Sequence, residues 1–122
     1  QALTMPVLPE VIVGLGEIPL APYATPSTPA MADSLAPFVK HATAILLANH
    51  GVVTFGADLE EAYFRTEKTE HAAQIVFVAR MLGGEQSLTS RDIEHLRSVV
   101  EARFANRSDA PLSSLKPSSQ KA

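Results

Sequence analysis

Residues 44–62, A-I-L-L-A-N-H-G-V-V-T-F-G-A-D-L-E-E-A, set His50 in a tight turn between two apolar runs, just ahead of a well-capped helix. A histidine at a strand end can hold a metal through its neutral imidazole or move a proton near neutral pH. Gly51, immediately after it, allows a positive φ that other residues resist. Hairpin turns are also rich in Asn-Gly-like pairs, so an ordinary polar turn residue would leave the same signature. Spacing alone leaves both readings open.

The other histidines do not complete a site around it. His41, His50, His71 and His95 form no H-x-H, H-x-x-x-H or H-E-x-x-H spacing of the kind that puts two ligands on one strand or helix face. A catalytic zinc needs three protein ligands and an open position. The chain is therefore expected to hold only part of such a site. With no cysteine in the sequence, any metal must be bound by nitrogen and oxygen.

The elements that would position His50 are readable from periodicity and breakers. Residues 43–48 are continuously apolar, as expected for a strand buried on both faces, and residues 52–55 read as its continuation or hairpin partner. Asp58 with Glu61 predicts a capping box opening a helix that runs to Leu82 and stops at Gly83-Gly84. Along it Leu59, Ala62, Thr66, Ala73 and Val76 recur at helical spacing, and residues 75–79 are apolar all round, which predicts burial within the domain or against another subunit.

Upstream, residues 5–13 are apolar but contain Pro6 and Pro9, which suits a helix start or an edge segment. Residues 17–20 read as a short strand entering a loop stiffened by Pro19, Pro22, Pro26 and Pro29. Ser27 or Thr28 is expected to cap a helix with Pro29 in its first position, with a stop or kink near Ala36 forced by Pro37. A last helix over 91–104, capped by Thr89 or Ser90, precedes a polar tail, 105–122, of a composition that rarely orders without a partner.

Three segments together, A-P-Y-A-T-P at 21–26, A-N-H-G at 48–51 leading to D-L-E-E-A at 58–62, and T-E-H-A-A-Q at 69–74, resemble the class II aldolase/adducin family, whose members include fuculose-phosphate aldolase. The resemblance covers residues 8–83 and weakens toward Phe104. It implies an α/β chain of three-layer α/β/α architecture, of which residues 1–104 are the C-terminal part. It also implies a homotetramer with a divalent metal, usually zinc. His50 would be the last metal ligand. The others, a glutamate and an H-x-H pair, fall upstream of the segment matching Gln1, so the resemblance implies an N-terminal part of the same polypeptide.

By the same resemblance the activity is aldehyde-lyase chemistry, cleavage of a ketose or ketose phosphate through a metal-stabilised enediolate. An epimerase or decarboxylase of the family, or a non-catalytic adducin-like assembly module, are its alternatives. Proton-transfer residues are not carried over. Leu8 stands where the aldolase tyrosine would align, and Tyr23 and Tyr63 are the only tyrosines. Tyr23, in the 21–26 loop, could serve the site or satisfy a buried backbone group. His71, beside Glu70, reads as a structural or surface residue, and Glu60, Glu61, Glu67 and Glu70 as capping and solvated charges.

Composition excludes other classes. Ten basic against thirteen acidic residues give a net charge of −3 with no basic block, which offers a nucleic acid no footprint. No apolar run approaches the ~18 residues of a membrane span. Together with the family resemblance, which implies a small sugar-derived substrate, the expectation is a cytoplasmic protein. At 122 residues and 46% hydrophobic, the chain can build one core.

Overall fold

The computed structural model describes residue 3 and residues 6–108, with side chains to residue 102. In chain order the elements are α1 (Pro9–Gly14), β1 (Leu20–Ala21), α2 (Pro29–Leu35), β2 (Ala44–Leu47), β3 (Gly51–Thr54), α3 (Leu59–Met81) and α4 (Ser90–Ser108). The strands form one sheet in the order β1-β2-β3, with β1 parallel to β2 and β2 antiparallel to β3.

The centre of the sheet is β2, and its alternation divides the core in two. Ala44 is fully buried with Leu15 and Ile18, against Val11 and Leu46. Ile45 is fully buried with Ala21 and Ala42, against Leu35, Phe38, Leu47 and Val53. Successive strand residues face opposite sides, so one face of β2 is covered by residues of and just after α1, and the other by α2 and its C-terminal extension. This is the two-sided burial expected from the continuous apolar run.

The expected strand at 17–20 is instead β1 at Leu20–Ala21. Proline lacks an N–H and cannot donate to a ladder, so Pro19 contributes only its carbonyl, which accepts from the Leu46 N–H at 2.8 Å. Pro9 opens α1 and Pro29 opens α2, each in the first turn, where the missing donor costs no intrahelical bond. Helix α2 ends at Leu35 with Ala36 as its C-cap, as Pro37 requires. Thr28 is the N-cap residue of α2, but its hydroxyl donates to the Thr25 carbonyl at 2.7 Å and leaves the helix uncapped by a side chain.

Helix α3 starts as expected. The Asp58 carboxylate accepts from the Glu61 N–H at 2.8 Å, while Glu61 reaches back to the Ala57 N–H at 2.6 Å, one residue beyond the usual box partner. It ends where Gly83 and Gly84 take φ of 123° and 115°, and the Gly84 N–H closes on the Ala79 carbonyl at 2.9 Å. Helix α4 is capped by Thr89, whose hydroxyl accepts from the Asp92 N–H at 3.2 Å. It continues to Ser108, past the expected end at 104, and the rest of the anticipated tail, 109–122, lies outside the described residues.

The stripe expected on α3 is displaced. Its buried residues are Thr69, Ala72 and Val76, whereas Leu59 is 86% exposed. A helix of 23 residues is about 35 Å long, but strands of four residues reach only about 13 Å. Burial on α3 follows one face and not length: Val76 is 4% exposed, while the next two residues, Phe77 and Val78, are 65% and 53% exposed.

Candidate functional site

The turn between β2 and β3 is built by residues 48–50. Leu47 pairs with Gly51 across the sheet, and the His50 N–H donates to the Leu47 carbonyl at 3.1 Å. Asn49 carries the left-handed conformation at φ 58°, a region that asparagine tolerates better than most residues. Gly51 begins β3 at φ 157°, the positive φ expected of it and one that residues with a Cβ rarely adopt. The consequence for His50 is the anticipated one: it stands exposed at the strand end beside an exposed Asn49.

The far end of β3 is fixed to α3. The Thr54 hydroxyl donates to the Ala62 carbonyl at 2.8 Å and lies 2.8 Å from the Thr66 hydroxyl. Arg65 bridges the Phe55 carbonyl and, at 2.7 Å, the Glu61 carboxylate. These contacts hold the hairpin by its open end and leave its turn uncovered. The Glu61–Arg65 pair is the helical spacing of acidic against basic residues that the sequence suggested, whereas the Arg65 bond to the Phe55 carbonyl had no signal in the spacing.

The four histidines stay apart in the chain's architecture. His41 precedes β2 and meets the Phe38 ring edge-on at 6.3 Å, at the opposite end of the strand from His50. His71 is exposed on α3 and His95 on α4. Among the described residues no three metal-ligating side chains come together. His50 fits a metal as one imidazole donor of a larger set, exposed and without a hydrogen bond to its ring among the described contacts. An apolar cavity of about 280 Å³ lies between α1, α3 and α4, with Ile18, Val76 and Ile93 in its wall. None of its lining residues comes from the His50 turn.

Of the two tyrosines, Tyr63 donates to the Glu67 carboxylate at 3.0 Å on α3, and that carboxylate raises its pKa. Tyr23 follows β1 and is 59% exposed, so it does not serve a buried backbone group. Because β1 runs parallel to β2, with Ala21 opposite Leu47, the Tyr23 loop and the His50 turn leave the sheet at the same edge. In open α/β sheets ligands bind beyond the carboxyl ends of parallel strands.

Residues 2–77 match the family described as Class II Aldolase and Adducin N-terminal domain. The chain belongs to the class II aldolase and adducin family. A 3-oxo-tetronate 4-phosphate decarboxylase from Escherichia coli is 38% identical over 95 residues, covering 76% of this chain and 43% of the relative. The L-fuculose phosphate aldolase of Haemophilus influenzae is 33% identical over 81 residues, 66% of this chain and 38% of that one. The solved structure of YgbL, an aldolase/epimerase/decarboxylase-type protein of Escherichia coli, superposes with a TM-score of 0.68 at 35% identity, over 76% of this chain and 44% of that chain. The α/β arrangement is thus the class II aldolase fold, and the chain spans less than half the length of these relatives.

Proposed function

We propose that this class II aldolase-family chain carries one corner of a divalent-metal site, with His50 as a ligand and the remaining ligands supplied by polypeptide outside these 122 residues. The observation that supports it best is the His50 turn itself, an exposed imidazole at the strand edge where α/β sheets receive ligands. Zinc suits an imidazole-containing site without thiolates. Such an ion, when bound, supplies Lewis acidity to the negative charge that develops as a carbon–carbon bond breaks.

The reaction we infer is lyase chemistry on a sugar phosphate or a related acid phosphate. The resemblance in sequence implied release of an aldehyde. The longer matches to decarboxylase relatives, 95 and 98 residues against 81 for the fuculose phosphate aldolase of Haemophilus influenzae, support release of carbon dioxide from a 3-oxo acid phosphate as the more specific reading. In either case the electron pair of the broken carbon–carbon bond moves into the neighbouring carbonyl, giving an enediolate that is then protonated on carbon. His50 contributes by holding the ion at an uncovered turn with room for substrate. We further infer that the protein works as a homo-oligomer, four subunits by family resemblance.

The test is His50→Ala in a polypeptide that supplies the remaining length of the relatives. Bound zinc and turnover are expected to fall together, because the ligand set the resemblance implies, a glutamate, an H-x-H pair and His50, would lose one of its four members. Circular dichroism should stay unchanged, since His50 lies outside both core clusters. His71→Ala and His95→Ala should keep metal and activity. Assaying carbon dioxide from 3-oxo-tetronate 4-phosphate beside aldehyde from fuculose 1-phosphate separates the two lyase readings. Normal zinc occupancy in His50→Ala would return the residue to an ordinary turn position, and zinc without either activity would favour the assembly-module alternative.

A further inference from the structure

We propose that Tyr23 is a substrate-facing residue of the His50 site, its phenol hydrogen-bonding an oxygen of the sugar-derived substrate; this rests on the metal-ligand reading of His50 and extends it. Pairing between β1 and β2 continues to their last residues, with the Ala48 N–H donating to the Ala21 carbonyl at 3.2 Å. Tyr23 comes two residues after Ala21, and His50 three after Leu47, its partner in register. Neighbouring strands are ~4.8 Å apart. A molecule of sugar size held at the turn therefore meets the loop that carries Tyr23.

The loop is held in place around this residue. Pro22 and Pro26 fix their own φ. Ala24, next in sequence, is buried at 9% exposure, the Thr28 hydroxyl ties back to the Thr25 carbonyl, and Ser27 turns the chain at φ 62°. A ring that is 59% exposed on a pinned loop is positioned without having a packing task. Its hydroxyl has no hydrogen-bond partner among the described residues, whereas that of Tyr63 is engaged by Glu67. A phenol is neutral at pH 7 and both donates and accepts, which suits carbonyl and hydroxyl oxygens of a polyol substrate. Asn49 is exposed at the same turn as His50.

Because the chain has two tyrosines, selective ring labelling with carbon-13 gives two resolvable residues for a distance test. Copper(II) is the probe, since among first-row divalent ions it binds imidazole most strongly and its unpaired electron broadens nearby signals. Titrated into the 122-residue chain, copper should broaden the His50 ring and the Tyr23 ring together, and the Tyr23 effect should vanish in His50→Ala. Tyr63 reports copper held elsewhere, as by His71. Broadening of His50 with a sharp Tyr23 would overturn the proposal while His50 keeps its role. No response at His50 would remove that role and the Tyr23 proposal with it. In the complete enzyme, Tyr23→Phe should lower kcat/KM about tenfold, the loss of one hydrogen bond to a polar substrate, with bound zinc unchanged. Wild-type kcat/KM in that variant would also overturn the proposal.

Discussion

Asn49, at φ 58°, reverses the chain between β2 and β3, and the reversal leaves the imidazole of the next residue outside the sheet. Sequence put the turn in the right place, because Asn-His-Gly between apolar runs has few other uses. It marked Gly51 as a positive-φ position, which the structure bears out at 157°, but not Asn49, since a pattern of turn-forming residues does not say how many of them take an unusual φ. A second residue-scale device is open to direct test. Thr89 donates to the Asp92 carboxylate through its hydroxyl at 2.6 Å and its N–H at 3.0 Å, which holds the Asp92 pKa below its ordinary 3.8. A depressed folded-state pKa means stability that is complete above the unfolded value and lost as pH falls through the folded one. The amide resonances of Thr89 and Asp92 should therefore keep their capped positions until the pH drops below 3.8, then shift as the cap is released. Asp92→Asn should abolish that transition.

At the scale of elements, helix starts were legible because caps and prolines act locally. Pro9, Pro29, Asp58 and Thr89 each stand where their chemistry predicts a first turn. The connection between β3 and α3 was not legible, since it depends on packing between residues that sequence spacing does not bring together. Gly56 is its tightest point. A Cβ there would lie 2.6 Å from the Ala62 nitrogen and 2.9 Å from the Asp58 carbonyl oxygen, both backbone atoms that cannot swing aside. Gly56→Ala should cost about 1–3 kcal/mol, the usual range for overpacking, read as a lower urea midpoint. An unchanged midpoint would mean that the connection opens without loss and that the Arg65 and Thr54 tethers alone hold the hairpin.

On the scale of the whole molecule, α3 buries a narrow face at Thr69, Ala72 and Val76, and the rest of its apolar C-terminal half shapes the surface. Phe77, Val78, Met81 and Leu82 are 65%, 53%, 73% and 83% exposed around one helix end. Of the two fates expected for residues 75–79, burial among the described residues holds for Val76 but not for Phe77 or Val78. Contiguous apolar surface of this kind promotes association. The chain should therefore self-associate at micromolar concentration in light scattering, and Phe77→Glu with Met81→Glu should shift it toward monomer. A monodisperse wild-type monomer would remove the oligomer inference drawn from this surface.

Sequence by itself determined what depends on neighbours along the chain: the His50 turn, the caps and stops of the helices, the two-sided burial of β2, and the family through three short segments. Tertiary structure decided what depends on register and length. Parallel pairing of β1 with β2 brought Tyr23 to the edge that His50 occupies, and Pro19, which cannot donate to a ladder, shortened β1 to Leu20–Ala21. Which face of α3 meets the rest of the fold set which of its apolar residues are buried, because residues 75–79 are apolar all round and their periodicity names no inner side.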